Sequence, residues 1–236
     1  MKKPHQSIRV SIKSRALTSR QRVTFADKAY QRLRRLILDN QLLSGYQITE
    51  QELARRLDMS RTPVREAMLQ LASEGLVEVK PRHGMRVLPV SADDMRDIYQ
   101  LLRGLESVAI MEVAARGVSK TEQGELENLL DEMETRLFRQ ELTAWADRDH
   151  QFHLFLVSLC ANERLYSVVE NALDQSNRIR KQTLESRRLL EVSNQDHREL
   201  VGAIVARDRE QARKCIESHR QRNGSVLIEL CSVLDK

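Results

Sequence analysis

The sequence predicts a mostly α-helical protein in two parts: a small unit of three helices and a β-hairpin, then an antiparallel helical bundle. Two observations carry this. Glycine (8) and proline (4) are scarce and aromatic residues make up only 4% of the 236 residues; with abundant Leu, Ala, Glu and Arg, that favours helices over a sandwich or barrel. Charge also divides the chain. Residues 1–90 hold 18 Lys+Arg and 8 Asp+Glu, whereas residues 91–236 hold 21 and 26. A basic module facing nucleic acid, joined to an acidic module with another task, is the expectation. No apolar run approaches the ~20 residues of a membrane span. Three cysteines without a CxxC (Cys160, Cys215, Cys231) fit a reducing cytoplasm better than a disulfide framework.

Residues 1–26 hold seven Lys/Arg and no acid. They read as a basic flexible tail that follows phosphates, or as a solvated tail with no specific partner. The apolar core of a secretory signal is missing from it. Residues 27–90 form the predicted DNA-binding unit. Asp27 to Gln41 is an amphipathic helix with Ala29, Leu33, Leu36 and Ile37 on one face. A turn follows at Leu42-Leu43-Ser44-Gly45. Thr49 caps a second helix, with Glu52 completing a capping box. Ser60 caps a third helix that runs to Gly75, and Pro63 falls in its first turn, where a missing N–H costs nothing. Leu76 to Lys80 and Met85 to Leu88 alternate like strands around the turn Pro81-Arg82-His83-Gly84. Residues 91–236 show no strand signal and no proline. Six helices are expected there, at about 91–116, 119–139, 141–160, 162–184, 187–206 and 208–233, with breaks at Gly117, Asn162 and Asp208.

Three helices and a hairpin in this order make a winged helix-turn-helix, with the third helix reading the major groove. Its start suits that role. Ser60 and Thr62 offer hydroxyls to phosphate, and Arg61 and Arg65 can each meet a guanine edge or a phosphate. Arg82 and His83 sit at the hairpin tip beside Gly84, which allows close backbone approach or a positive φ. The run TEQELARRLDMSRTPVREAMLQLASEGLVEVKPRHGMRV resembles the DNA-binding domain of GntR-family transcription regulators. The resemblance implies operator contact by Arg61, Thr62 and Arg65, with His83 and Gly84 reaching the minor groove. Gln51 stands where some members carry a DNA-contacting arginine. Asp58 replaces the usual turn glycine, and Asp tolerates the left-handed conformation better than most residues.

In the second part, Asp149 and His153 are four residues apart on one helix face, and His197 and His219 lie on two later helices among apolar neighbours. They are ordinary buried histidines, or they converge as ligands; a nitrogen and oxygen set without thiolate suits Zn, Ni or Mn. His150 reads as a surface residue beside Asp147 and Arg148. Asp149-His150-Gln151-Phe152-His153, Asn162, His197 in DHRELVGAIVARD and His219 in ARKCIESHR resemble the FCD domain of the FadR-type GntR subgroup. Six helices resemble its VanR-like branch. The resemblance implies a divalent metal on Asp149, His153, His197 and His219, beneath a pocket for a small organic acid. One departure concerns the effector: Leu102 stands four residues before Glu106, where the family has arginine. Arg103 is about 100° round the helix from that position, and Arg178 is a further candidate for gripping the effector.

The expected function is a homodimeric, cytoplasmic transcription regulator, a repressor, on a pseudo-palindromic double-stranded DNA operator, with affinity set by a metabolite. No membrane partner is expected. A metal-dependent enzyme with an accessory DNA-binding domain is the alternative, weakened by the lack of HExxH or of an adjacent His-Asp pair. A DNA-binding protein with a purely structural bundle is a third. Metal affinity is expected to fall below the ordinary imidazole pKa of ~6.5.

Overall fold

A computed structural model describes residues 24–183 and 187–234. Most of the expected basic tail lies outside the described residues. Its last three residues do not belong to a tail: helix α1 (Phe25–Leu38) begins two residues earlier than expected. Thr24 accepts a hydrogen bond from the Asp27 backbone N–H, and the Asp27 carboxylate accepts one from the Thr24 N–H, so two orphan donors are satisfied at once.

Strand β1 (Gln47–Ile48), helix α2 (Glu50–Leu57), helix α3 (Arg61–Ser73) and strands β2 (Val77–Lys80) and β3 (Gly84–Val87) complete the first unit. The expected hairpin is therefore part of a three-stranded antiparallel sheet, in the order β1-β3-β2. Val77 pairs Val87 and Val79 pairs Met85, while Ile48 joins Met85 from the other side. Two residues of β1 are too few to show alternation, so no sequence pattern marks them. Ala29, Leu33 and Ile37 of α1, Leu53 and Leu57 of α2, and Val64, Met68 and Leu71 of α3 bury one core with Val77, Met85 and Val87. Leu36, expected inside, is only half-buried at its edge. Asp58 holds the left-handed conformation expected of it, with φ 53° and ψ 52°, and ends α2.

The second unit contains, among the described residues, six helices: α4 (Ala92–Arg116), α5 (Lys120–Phe138), α6 (Leu142–Ser158), α7 (Glu163–Gln182), α8 (Arg187–Val205) and α9 (Arg209–Leu234). Capping boxes start α4 at Ser91 and α5 at Ser119. Asn162 accepts from the Leu165 N–H at 3.1 Å and Asp208 from the Gln211 N–H at 2.9 Å, which explains two of the expected breaks. Trp145, Phe152 and Leu156 of α6 pack with Leu126, Leu130 and Met133 of α5, Leu200 and Ile204 of α8, and Ile216 of α9. Helices α4 and α9 lie against each other along their length, and α7 packs on α4 and α6 while also touching α1. None of the described helices is long and apolar enough to cross a membrane.

Gly84 illustrates how tightly the first unit closes. Its φ is +84°, and a Cβ there would lie 2.1 Å from the Ile48 carbonyl oxygen. The close backbone approach is to β1, within the protein. Gly84→Ala therefore adds a collision with fixed backbone to left-handed strain, and a loss of about 2 kcal/mol or more is expected. Gly45 has φ +81° but open space around its Cα, so Gly45→Ala should cost about 1 kcal/mol. Urea unfolding of the two variants checks this; equal midpoints would contradict the contact.

Candidate functional site

Two regions bring together the residues singled out in the sequence. The first is the face made by the starts of α2 and α3 and by the β2–β3 hairpin. Gln51, Arg61, Arg65, Arg82 and Gly84 line one cleft there. Lys80, at the end of β2, lines it too and was not anticipated, because a strand-end lysine has no pattern of its own. Ser60, Thr62 and His83 are exposed nearby. Ser60 occupies the N-cap position of α3, yet its side chain makes no capping hydrogen bond. The hydroxyl is therefore not committed to the helix. Arg61 Nε donates to Glu50 Oε1 at 2.8 Å while the side chain stays 69% exposed. A pair so open to water adds little stability but holds the guanidinium at the cleft. The His83 N–H donates to the Lys80 carbonyl at 3.0 Å and closes the hairpin turn, where Arg82 takes φ +65°.

The second region is inside the helical unit. Helix α6 presents Asp149 and His153 on one face, α8 presents His197 and α9 presents His219. All four are buried, and one ligand atom from each lies within 4.8 Å of the others. His197 Nε2 is 3.3 Å from His219 Nε2 and 3.6 Å from Asp149 Oδ1, and His153 Nε2 is 4.0 Å from the same oxygen. Asp149 Oδ1, both ring nitrogens of His153 and His197 Nδ1 are buried without hydrogen-bond partners. His153 Nδ1 is 3.2 Å from Glu106 Oε1, but at an angle that makes no hydrogen bond. Asp196 Oδ2 lies 3.2 Å from His219 Nδ1, which favours the tautomer with its lone pair on Nε2, and Asn223 Nδ2 lies 3.1 Å from that nitrogen.

Charged groups that the sequence did not single out as site residues surround this cluster. Arg180 of α7 donates to Asp149 Oδ2 and, at 3.2 Å, to the Tyr99 hydroxyl. Arg220 of α9 makes a two-point pair with Glu106, with Nη2 2.7 Å from Oε1. Both arginines are buried, and helical periodicity alone does not separate a buried arginine from a solvated one. The two arginines that were expected at the effector are elsewhere. Arg103 is exposed on α4, as its rotation away from the position of Leu102 implies. Arg178 is buried, but it points to the first unit, donating to the Leu88 carbonyl at 2.9 Å and to Ser44 Oγ at 2.7 Å. His150 is not a surface residue. Its side chain is 16% exposed and Nε2 meets Asp174 Oδ1 at 3.1 Å.

Burial sets the protonation of the cluster. Desolvation pushes His153 and His219 well below the usual imidazole range and takes His197 and His150 down to about 4. Burial, the largest single effect, would raise Asp149, but the positive groups around it, Arg180 first and Arg220 among the rest, together hold the carboxyl below its ordinary value. The imidazoles therefore stay neutral, and able to ligate, well below the pH ~6.5 that an unperturbed side chain allows. In the metal-free protein this carries a stability cost at low pH. Between pH 6.5 and about 4 the unfolded chain takes up protons that the folded histidines refuse. Stability should fall as pH drops through that window, by up to about 1.4 kcal/mol per pH unit for each imidazole. Thermal melts of chelator-treated protein from pH 7 to pH 4.5, with His197→Gln showing a shallower fall, check the sign.

Comparison with known proteins places both units. Residues 25–87 match the model of "Bacterial regulatory proteins, gntR family" and residues 97–222 match that of the FCD domain. An HTH-type transcriptional regulator from the TAR-I ttuE-ttuC' intergenic region of Agrobacterium vitis is 34% identical over 175 residues, covering 68% of this chain and 99% of that protein. The HTH-type transcriptional repressor RspR of Escherichia coli K12 is 26% identical over 192 residues, covering 81% of this chain and 84% of RspR. The fold is shared with E. coli McbR/YncC at TM-score 0.78 and 22% identity, over 89% of this chain and 99% of that one. These relatives are transcription regulators and not enzymes, which decides against the metal-dependent enzyme. The chain belongs to the gntR family of bacterial regulatory proteins and carries the FCD domain at its C-terminal side.

Proposed function

We propose that this regulator is a homodimeric repressor whose operator affinity responds to a small organic acid, bound beside a divalent metal on Asp149, His153, His197 and His219. The observation that carries the reading is the set of four buried side chains with one ligand atom each within 4.8 Å, with Asp149 Oδ1 and His153 Nε2 lacking any hydrogen-bond partner. Buried polar atoms left unpaired cost roughly 1–3 kcal/mol each, and a cation among them removes that cost. Nitrogen and oxygen donors without thiolate suit Zn, Ni or Mn. When bound, the metal supplies a concentrated positive charge able to hold a carboxylate.

The protein's own charges support an acidic effector. Asp149 and Glu106 contribute two negative charges, Arg180 and Arg220 two positive ones, and the imidazoles are neutral. A divalent cation leaves a positive surplus in a closed interior. Surplus buried charge is costly, and a carboxylate ligand offsets it. Asp196 orients His219, and Arg180 occupies Asp149 Oδ2, leaving Oδ1 toward the cluster. Division into a DNA-reading unit at 27–90, begun two residues earlier by α1, and a metal, effector and dimerisation unit at 91–236 follows from this reading. Repression is the sign printed for the relatives RspR and GlaR of E. coli K12.

At the DNA face, Gln51, Ser60, Arg61, Thr62, Arg65, Arg82, His83 and Gly84 are the proposed contacts. Arg65→Ala is expected to weaken operator binding by about 1–3 kcal/mol, with the loss concentrated at one base pair of each half-site. Binding of an operator-variant library reads this. A loss spread evenly over sequences would assign Arg65 to phosphate, and no loss would remove it from the interface. The footprint should be two-fold symmetric.

For the metal, elemental analysis of protein purified without chelator or nickel resin should find one divalent ion per chain. His153→Ala should lower metal content and melting temperature together, in a protein whose first unit still folds and binds DNA. Less than about 0.1 ion per chain, with no melting shift on adding Zn, Ni or Mn, would leave these side chains as polar core residues.

A further inference from the structure

Arg178 invites a different assignment from the one its sequence position suggested. Helix α7 is two-sided. Along one face, Asn171 donates to the Glu74 carbonyl at 3.2 Å, Asp174 pairs with Arg34 of α1, and Arg178 holds the Leu88 carbonyl and Ser44. Further along, Lys181 Nζ meets Asp39 Oδ1 at 3.0 Å, and Asn40 Nδ2 donates to the Arg178 carbonyl at 3.0 Å. These contacts grip the end of α1, the turn after it and the exit of the β-sheet. Ser176 and Arg180 are each two residues from a gripping residue, hence about 200° round the helix. They face inward, to Tyr99 and to Asp149.

We propose that Arg178 is a positioning residue for the DNA-reading unit, and that α7 couples that unit to occupancy of the Asp149 cluster through Arg180. The inference rests on the proposed metal site and adds the route by which its state reaches DNA. Arg180 holds one oxygen of Asp149 while the other faces the cluster. A cation at the second oxygen competes with the guanidinium for one carboxylate and repels it. The inward hold on α7 weakens, and so does the grip of its other face. Asp174 reinforces the route, because its two oxygens meet His150, beside Asp149 on α6, and Arg34 on α1. Sites joined by such an element show reciprocal coupling, so operator DNA must alter metal affinity by the factor by which metal alters DNA affinity.

Hydrogen exchange on the full chain, with and without Zn²⁺ alone, tests this. In the wild type, Zn²⁺ is expected to slow exchange in α6, α8 and α9 and to speed it several-fold in residues 34–46 and 86–90. Arg178→Ala should keep the metal content and the protection of α6, α8 and α9, yet lose the distant response. A merely structural arginine would lower stability without separating these readouts. If Arg178→Ala fails to fold, Ser44→Ala and Lys181→Gln remove single contacts of the same face and should each reduce the distant response. Protection confined to α6, α8 and α9 in the wild type would overturn the coupling while leaving the metal site standing. A full distant response in all three variants would overturn the role of Arg178. Absence of any Zn²⁺ uptake would overturn both the coupling and the metal reading.

Discussion

Asp149 is a carboxylate 3% exposed to solvent, and the positive groups around it, the buried Arg180 first among them, hold it ionised against desolvation. The pair is costly to assemble, since both charges leave water, and it is tolerable only when the remaining hydrogen-bonding capacity is used. Tyr99 takes a second bond from Arg180, and Ser176 donates to the same hydroxyl at 3.1 Å. Helix α7 must therefore lie at one height and one rotation against α4 and α6. Once it does, its opposite face meets the first unit with Asn171, Asp174, Arg178 and Lys181 in register. The orientation of the DNA-reading unit thus depends on a charge pair in the middle of the other unit.

The three imidazoles obey the same constraint in the opposite way. They too are buried, and the carboxylates near them are each drawn to an arginine, Asp149 to Arg180, Glu106 to Arg220 and Asp196 to Arg222, so desolvation wins and they remain neutral. Neutral nitrogens with lone pairs and one ionised carboxylate make a donor set suited to a cation. Glu106 does not enlarge the set, because Arg220 holds both its oxygens.

Local signals in the chain foretold most elements. Thr49 with Glu52, Ser91 with Asp94 and the run from Ser60 to Ala67 fix helix starts through bonds within four residues, and such bonds are readable in sequence. Asp149 and His153 were legible for the same reason, being one helical turn apart, and His197 and His219 through resemblance. What escaped depends on distant partners. Strand β1 exists because Gln47 and Ile48 pair with Arg86 and Met85, nearly forty residues away. The Thr24 cap was missed because the helix was started at the acid it pairs with. Arg178 and Arg180 differ by two positions and face opposite ways, and it is Arg180 that lies beside the Asp149 cluster. Only knowledge of which helix faces which unit separates them.

A last question is why α7 meets the first unit mostly through charged and amide side chains, with apolar packing confined to the cluster of Val90 and Ile179. An apolar seam of that size would hold the units together by area alone, without direction, and would respond little to a charge arriving at Asp149. Hydrogen bonds and ion pairs are directional and lose most of their value within an ångström of misplacement. Arg178 must reach a backbone carbonyl and a serine hydroxyl at the same time, and Asn40 must reach the Arg178 carbonyl. A small displacement of α7 breaks several of these contacts together, while the two apolar cores stay intact on either side. On the proposed coupling, the seam gives way before the domains do, so that the DNA-reading unit moves without unfolding.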